Sequence, residues 1–164
     1  MKSSIQRSLL ALIALVSLTA GSPAFAEGGA TVPPIQDAAV VKECGACHMA
    51  YAPQMLPMRS WQAIMGNLGN HFGETATLSA PERQTIEAYL VAHAGDAPGT
   101  TQGHRFMRGI PGDATPLRIT DTRFWIRGHG EISAAEFANP KVKSKANCVA
   151  CHRSAAAGQY GEEE

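Results

Sequence analysis

Every cysteine in this chain lies in one of two five-residue blocks, Cys44-Gly45-Ala46-Cys47-His48 and Cys148-Val149-Ala150-Cys151-His152. The spacing suits one chemistry. Two thiols separated by two residues can form thioethers to the two vinyl groups on one edge of a porphyrin, and the histidine that follows is then carried beneath the ring as a ligand to iron. The blocks predict two covalent c-type haems, attached at Cys44 and Cys47 and at Cys148 and Cys151, with His48 and His152 as proximal ligands. Other uses of the same residues fit less well. A structural zinc site does not require a histidine directly after the second cysteine, twice. A disulfide framework leaves both histidines without a purpose, and a dithiol redox pair would sit in an alternating strand and helix pattern that is missing here.

What the irons do depends on the sixth coordination position. A second histidine closes the site and gives a comparatively low potential, a methionine raises the potential, and an open position binds small molecules. The remaining histidines are His71, His93, His104 and His129, with Met55, Met58, Met65 and Met107 as further donors. His71 follows Leu68 by three residues and Ile64 by seven; His129 follows Trp125 by four and Ile126 by three; His93 follows Leu90 by three and Ile86 by seven. All three therefore fall on apolar helical faces, and periodicity alone does not choose among them. His104, between Gly103 and Arg105, reads as solvent-facing.

The elements that must position these groups are helical. Asp37 reads as the N-cap of a short helix carrying residues 44–48, and the two prolines in 51–57 break it. Ser60 reads as the cap of a helix over 61–72, with Trp61, Ile64, Met65 and Leu68 on one face. Ser79 and Glu82 form a capping box, with Pro81 in the first turn, for a helix running to about Ala94 and stopping at Gly95. Residues 95–116 read as irregular chain. Asp121 is placed to cap a short helix holding Phe124, Trp125 and His129. Ser133 and Glu136 form a second capping box, and 146–157 is expected to be the helix of the second haem motif. No stretch alternates long enough for a strand. Residues 27–34 read as a flexible leader and 158–164 as a frayed acidic tail. The expected fold is mostly α, a small helical dihaem unit whose haems form much of the core, because a chain with modest aromatic content gains from two rings the buried area its side chains lack.

The first 26 residues combine Lys2 and Arg7, an apolar run over 9–16 and Ala24-Phe25-Ala26, the pattern of a secretory signal peptide cleaved after Ala26. This implies an exported protein, with residues 27–164 as one dihaem domain and no later segment apolar enough to span a membrane. Residues 27–104 hold three basic and seven acidic side chains, whereas 105–153 hold nine basic and four acidic. Such lopsidedness can orient a partner during diffusional encounter. The balance of 27–164, two charges acidic, excludes nucleic acid as a bulk-charge partner.

Further stretches join the two motifs in a recognisable order: Leu56-Pro57-Met58-Arg59-Ser60-Trp61, Asn70-His71-Phe72-Gly73-Glu74 and Phe124-Trp125-Ile126-Arg127-Gly128-His129. With Cys44 to Met49 and Cys148 to His152, these resemble the small soluble dihaem cytochromes c of bacteria. The resemblance implies bis-histidine ligation of both irons, with His71 and His129 as distal ligands in preference to His93. Proximity along the chain pairs His48 with His71 and His152 with His129, a crossed arrangement being the alternative. The residues themselves lead as far as an exported, periplasmic electron carrier, expected to be a monomer; the resemblance also implies a membrane b-type cytochrome as donor and a small high-spin c-type cytochrome as acceptor. The competing readings are a haem enzyme, peroxidase-like or reducing nitrogen oxides, with one open iron and a pocket built from residues such as His104 or Arg105, and a gas or redox sensor.

Overall fold

In the computed structural model, residues 29–161 are described; the expected signal peptide over 1–26 lies outside them. Six α-helices form among the described residues: α1 (Ala38–Gly45), α2 (Met58–Met65), α3 (Ala80–Ala92), α4 (His104–Met107), α5 (Arg123–His129) and α6 (Ala134–Phe137). Two two-residue strands, β1 (Ala30–Thr31) and β2 (Gln159–Tyr160), pair antiparallel with Ala30 opposite Tyr160. No described helix is long and apolar enough to cross a membrane.

The caps explain where several helices begin. The Asp37 carboxylate accepts from the Val40 amide at 2.9 Å, satisfying one of the orphan donors of α1. Both capping boxes are formed: the Ser79 hydroxyl and Glu82 carboxylate exchange bonds with each other's backbone amides at the start of α3, and Ser133 and Glu136 do the same for α6.

Elsewhere the chain departs from the sequence reading. Ser60 does not cap α2 but lies fully buried within it, because the Pro57 carbonyl already accepts from the Ser60 and Trp61 amides. The same helix stops at Met65 rather than near Phe72: Gly66 and Asn67 propagate a helix poorly, and only a 3-10 turn, Leu68–Asn70, follows. α1 ends at Gly45, so the first haem motif straddles its end. The cap of α5 is Thr122, whose hydroxyl accepts from the Trp125 amide at 3.3 Å, while Asp121 belongs to the preceding 3-10 turn. Residues 146–157 form no helix. Two separate 3-10 turns, Cys148–Ala150 and Ala155–Ala157, stand there, since of this segment only Ala155 is buried and no apolar stripe holds a longer helix against the core.

The two ends of the described segment, around Ala30 and Tyr160, are tied to each other. Val32 is buried, and its amide donates to the Gly158 carbonyl at 2.9 Å beside the β1–β2 pair. Gly158 has φ +82°, and a Cβ there would collide with the Val32 carbonyl, so glycine is required on both counts.

The irregular connection over 95–116 contains α4 and is braced from α2 by the Arg59 side chain. Arg59, in the first turn of α2, donates to the Pro111 carbonyl at 2.9 Å and to the Ala114 carbonyl, and pairs with Asp96 at 3.4 Å. Asp96 in turn accepts from the Met58 amide at 2.7 Å.

The main core lies between α1, α2 and α3: Val40, Leu56, Trp61, Met65, Ile86 and Leu90. Trp61 is satisfied there by donating Nε1–H to the Pro53 carbonyl at 2.8 Å. A smaller cluster of Val32, Met55 and Phe106 lies under β1 and α4. From 107 to 154 the only fully buried residue is Thr122. The half of the chain holding α5, α6 and the second motif therefore lacks a side-chain core of its own.

Candidate functional site

The six histidines separate cleanly in space. His48 and His71 face each other with ring centroids 6.2 Å apart and planes 20° from parallel. His129 and His152 stand 5.9 Å apart with planes at 86°. A metal–imidazole bond is about 2 Å and each ring centre lies about 1 Å behind its nitrogen, so two imidazoles on opposite sides of one metal have centres about 6 Å apart. Both pairs meet that spacing, and each joins the histidine of a haem motif to one of the distal candidates. His93 is exposed, with its ring 4.2 Å from Tyr89 and its Nδ1 on the Tyr89 carbonyl at 2.8 Å. His104, at the start of α4, is exposed as read from the sequence.

Each ring is held by its own local structure. At His48, Nδ1 lies 2.7 Å from the Met49 carbonyl oxygen, which requires the proton on Nδ1 and leaves the Nε2 lone pair free to bind a metal. His129 makes the same arrangement with the Trp125 carbonyl at 2.9 Å, one helical turn back in α5, and stacks on the Trp125 ring at 4.4 Å, 7° from parallel. His152 directs Nδ1 at the Gly161 carbonyl at 3.2 Å. His71 is positioned by backbone. Its amide donates to the Glu74 carbonyl at 2.7 Å and the Glu74 amide donates back at 3.1 Å, closing a tight turn through Phe72 at φ 58° and Gly73 at φ 100°. Two positive φ values are those of a type I′ turn. Gly73 takes its value freely, whereas Phe72 is an uncommon occupant, with the Arg118 guanidinium 4.1 Å above its ring. Burial, then the nearby His48 and Arg118, lower the His71 pKa and favour the neutral imidazole that a metal requires.

The thiols fit covalent attachment. None of the four cysteines is in a disulfide. Cys44 and Cys148 are partly buried, and desolvation raises both thiols. Cys47 and Cys151 are exposed. The surroundings also suit a large apolar ring: Phe72 and Leu117 share a groove with His71 yet are 45% and 44% exposed, and Ile126, in α5 beside His129, is 51% exposed. Near the second pair, the Tyr160 ring lies 6.0 Å from His152, and its buried hydroxyl has no hydrogen-bond partner among the described residues. Apolar side chains left bare beside the histidines are what a haem would cover.

Three residues of the sites have roles that the sequence did not announce. Trp125 was legible only as an apolar helical position and not as the plate under His129. Tyr51 stacks on His48 at 4.7 Å and 19° and donates its hydroxyl to the Ala146 carbonyl at 2.8 Å, 95 residues away. Tyr160 belongs to a segment that read as a frayed tail.

Two attachment motifs with unpaired thiols, each beside a facing histidine pair, define a c-type cytochrome with two haems. The sequence pattern described as dihaem cytochrome c matches residues 40–160. The chain belongs to the dihaem cytochrome c family, and the two haems are bound covalently. Among solved structures it is similar to the diheme cytochrome c from Rhodobacter sphaeroides, at 43% identity and a TM-score of 0.71, covering 78% of this chain and 99% of that one. It is also similar to a diheme cytochrome type c from Shewanella baltica, at 40% identity and a TM-score of 0.60, covering 76% and 86%. The search of curated proteins gave no match. Membership supports the coarse function directly: this is a haem-binding electron-transfer protein.

Proposed function

We propose that both irons are bis-histidine ligated, His48 with His71 and His129 with His152, and that the protein carries electrons without catalysing a bond-making reaction. The observation that carries this is the pair of ring separations, 6.2 and 5.9 Å, each matching two imidazoles on one metal. When bound, each haem supplies one-electron chemistry at its iron. The chain's part is to attach each ring through two cysteines, to present Nε2 of two histidines, with Nδ1 of His48, His129 and His152 bonded to backbone carbonyls, and to cover the ring with Ile64, Phe72 and Leu117 at the first site. With a histidine on each side no position remains for substrate, which is the physical reason for preferring a carrier to an enzyme. Low-temperature EPR of the purified ferric protein checks this. Two low-spin signals are expected, whereas a native high-spin signal would bring the enzyme reading forward.

The exported, periplasmic form would be a monomer of residues 27–164, released from a signal peptide over 1–26. The donor we infer is a membrane b-type cytochrome and the acceptor a small high-spin c-type cytochrome. Lys141, Lys143 and Lys145 are exposed beside the second site, with the Lys145 ammonium 5.5 Å from the Trp125 ring. Reversing these three charges is expected to slow electron transfer to an anionic partner on the order of tenfold at low salt, with the difference shrinking as salt screens it. Stopped-flow kinetics across ionic strength reads this out, and equal rates for both proteins would remove the lysines from docking.

A further inference from the structure

We propose that Tyr51 is a positioning residue that fixes the two haem sites relative to each other. The inference rests on the ligand assignment above only for its spectroscopic arm. Tyr51 lies three residues after His48, and its ring is stacked on that imidazole at 4.7 Å and 19°. Its hydroxyl donates at 2.8 Å to the carbonyl of Ala146, two residues before Cys148. That carbonyl also accepts from the Cys148 amide at 3.0 Å, and the His152 amide bonds back to the Cys148 carbonyl at 2.8 Å. One side chain thus touches the proximal histidine of the first site and holds the head of the loop that bears both thiols and the histidine of the second.

The second motif needs such a strut. It stands on 3-10 turns rather than a helix, its residues 146–152 are exposed or half-buried, and nothing between 107 and 154 except Thr122 is fully buried. A loop without its own core takes its position from the bonds that reach it. Asn147 supplies one, donating to the Val142 carbonyl at 2.9 Å, but this stays within the same half of the chain. The Tyr51 bond crosses to the other site. What it sets is the separation and tilt of the two sites, on which the rate of electron exchange between them depends.

Tyr51→Phe separates the strut from the stack, since it keeps the ring and removes the donor. The holoprotein is measured by amide hydrogen exchange, by EPR and by electron redistribution between the sites after flash photoreduction. In Tyr51→Phe, exchange at residues 146–152 is expected to quicken on the order of tenfold, the value of one net hydrogen bond. Redistribution should slow, the α1–α3 core should keep its protection, and both low-spin signals should persist. Tyr51→Leu should add a change in the EPR of the first site alone. Unchanged exchange and redistribution in Tyr51→Phe would overturn the proposal. So would a loss of protection spread evenly over the chain, because the bond would then hold the fold and not the second loop. A high-spin signal in the unmodified protein would sink the ligand assignment, but the exchange result would still decide the strut.

Discussion

Removing one distal histidine should open one iron and leave the other untouched. In the ferric protein, His71→Ala is expected to convert the signal of the haem on Cys44 and Cys47 from low to high spin, and His129→Ala that of the haem on Cys148 and Cys151. His93→Ala should change neither, since His93 is exposed and bonded to its own helix. The ring angles make the two sites separable. A ferric low-spin iron has its unpaired electron in two d orbitals of π symmetry. Nearly parallel imidazoles, as at 20° for His48 and His71, act on one of these and split them, whereas planes at 86°, as for His129 and His152, act on both alike and leave them close in energy. The first site should give a rhombic signal and the second a strongly anisotropic one with a large maximal g value. His71→Ala should erase the rhombic signal and His129→Ala the anisotropic one. Serine at Cys148 and Cys151 provides a further check, because the single haem that remains should lose its low-spin signal with His71→Ala and keep it with His129→Ala. The reverse pattern would establish the crossed pairing.

Loss of the second haem should unfold the half of the protein that holds it. In the variant with serine at Cys148 and Cys151, α5, α6 and residues 146–154 are expected to lose amide protection and become open to limited proteolysis. The cluster of Val40, Leu56, Trp61, Met65, Ile86 and Leu90 should stay protected. The reason is the distribution of burial. The N-terminal core brings together aliphatic and aromatic side chains from three helices, whereas the C-terminal half buries only Thr122 between 107 and 154. Truncating one large core side chain costs about 2–5 kcal/mol, and a whole domain is stable by about 5–15 kcal/mol. A porphyrin covers more apolar surface than any single side chain, so a segment with no core besides it cannot remain ordered once it is gone. A variant that kept uniform protection would show that the C-terminal half folds on backbone and surface contacts alone.

The sequence by itself determined the chemistry. The two cysteine and histidine blocks specify covalent haem because thioether spacing and the adjacent ligand are local properties of five residues. The two capping boxes and the Asp37 cap were legible for the same reason, since each bond closes within one turn. The chain could also propose His71 and His129, but only the resemblance separated them from His93, because a helical period reports which face is apolar and not what lies opposite.

Tertiary structure decided what faces what. It brings His71 to His48 on a type I′ turn rather than on the helix the spacing suggested, because Gly66 and Asn67 end α2 early. It replaces the expected helix over 146–157 with 3-10 turns, since a helix there would have had no apolar stripe to bury. It joins Tyr51 to Ala146 and β1 to β2 across the length of the chain, through contacts whose partners no local pattern announces. Contacts closed within a turn can be read along the sequence, and those closed through the core depend on how every other element packs.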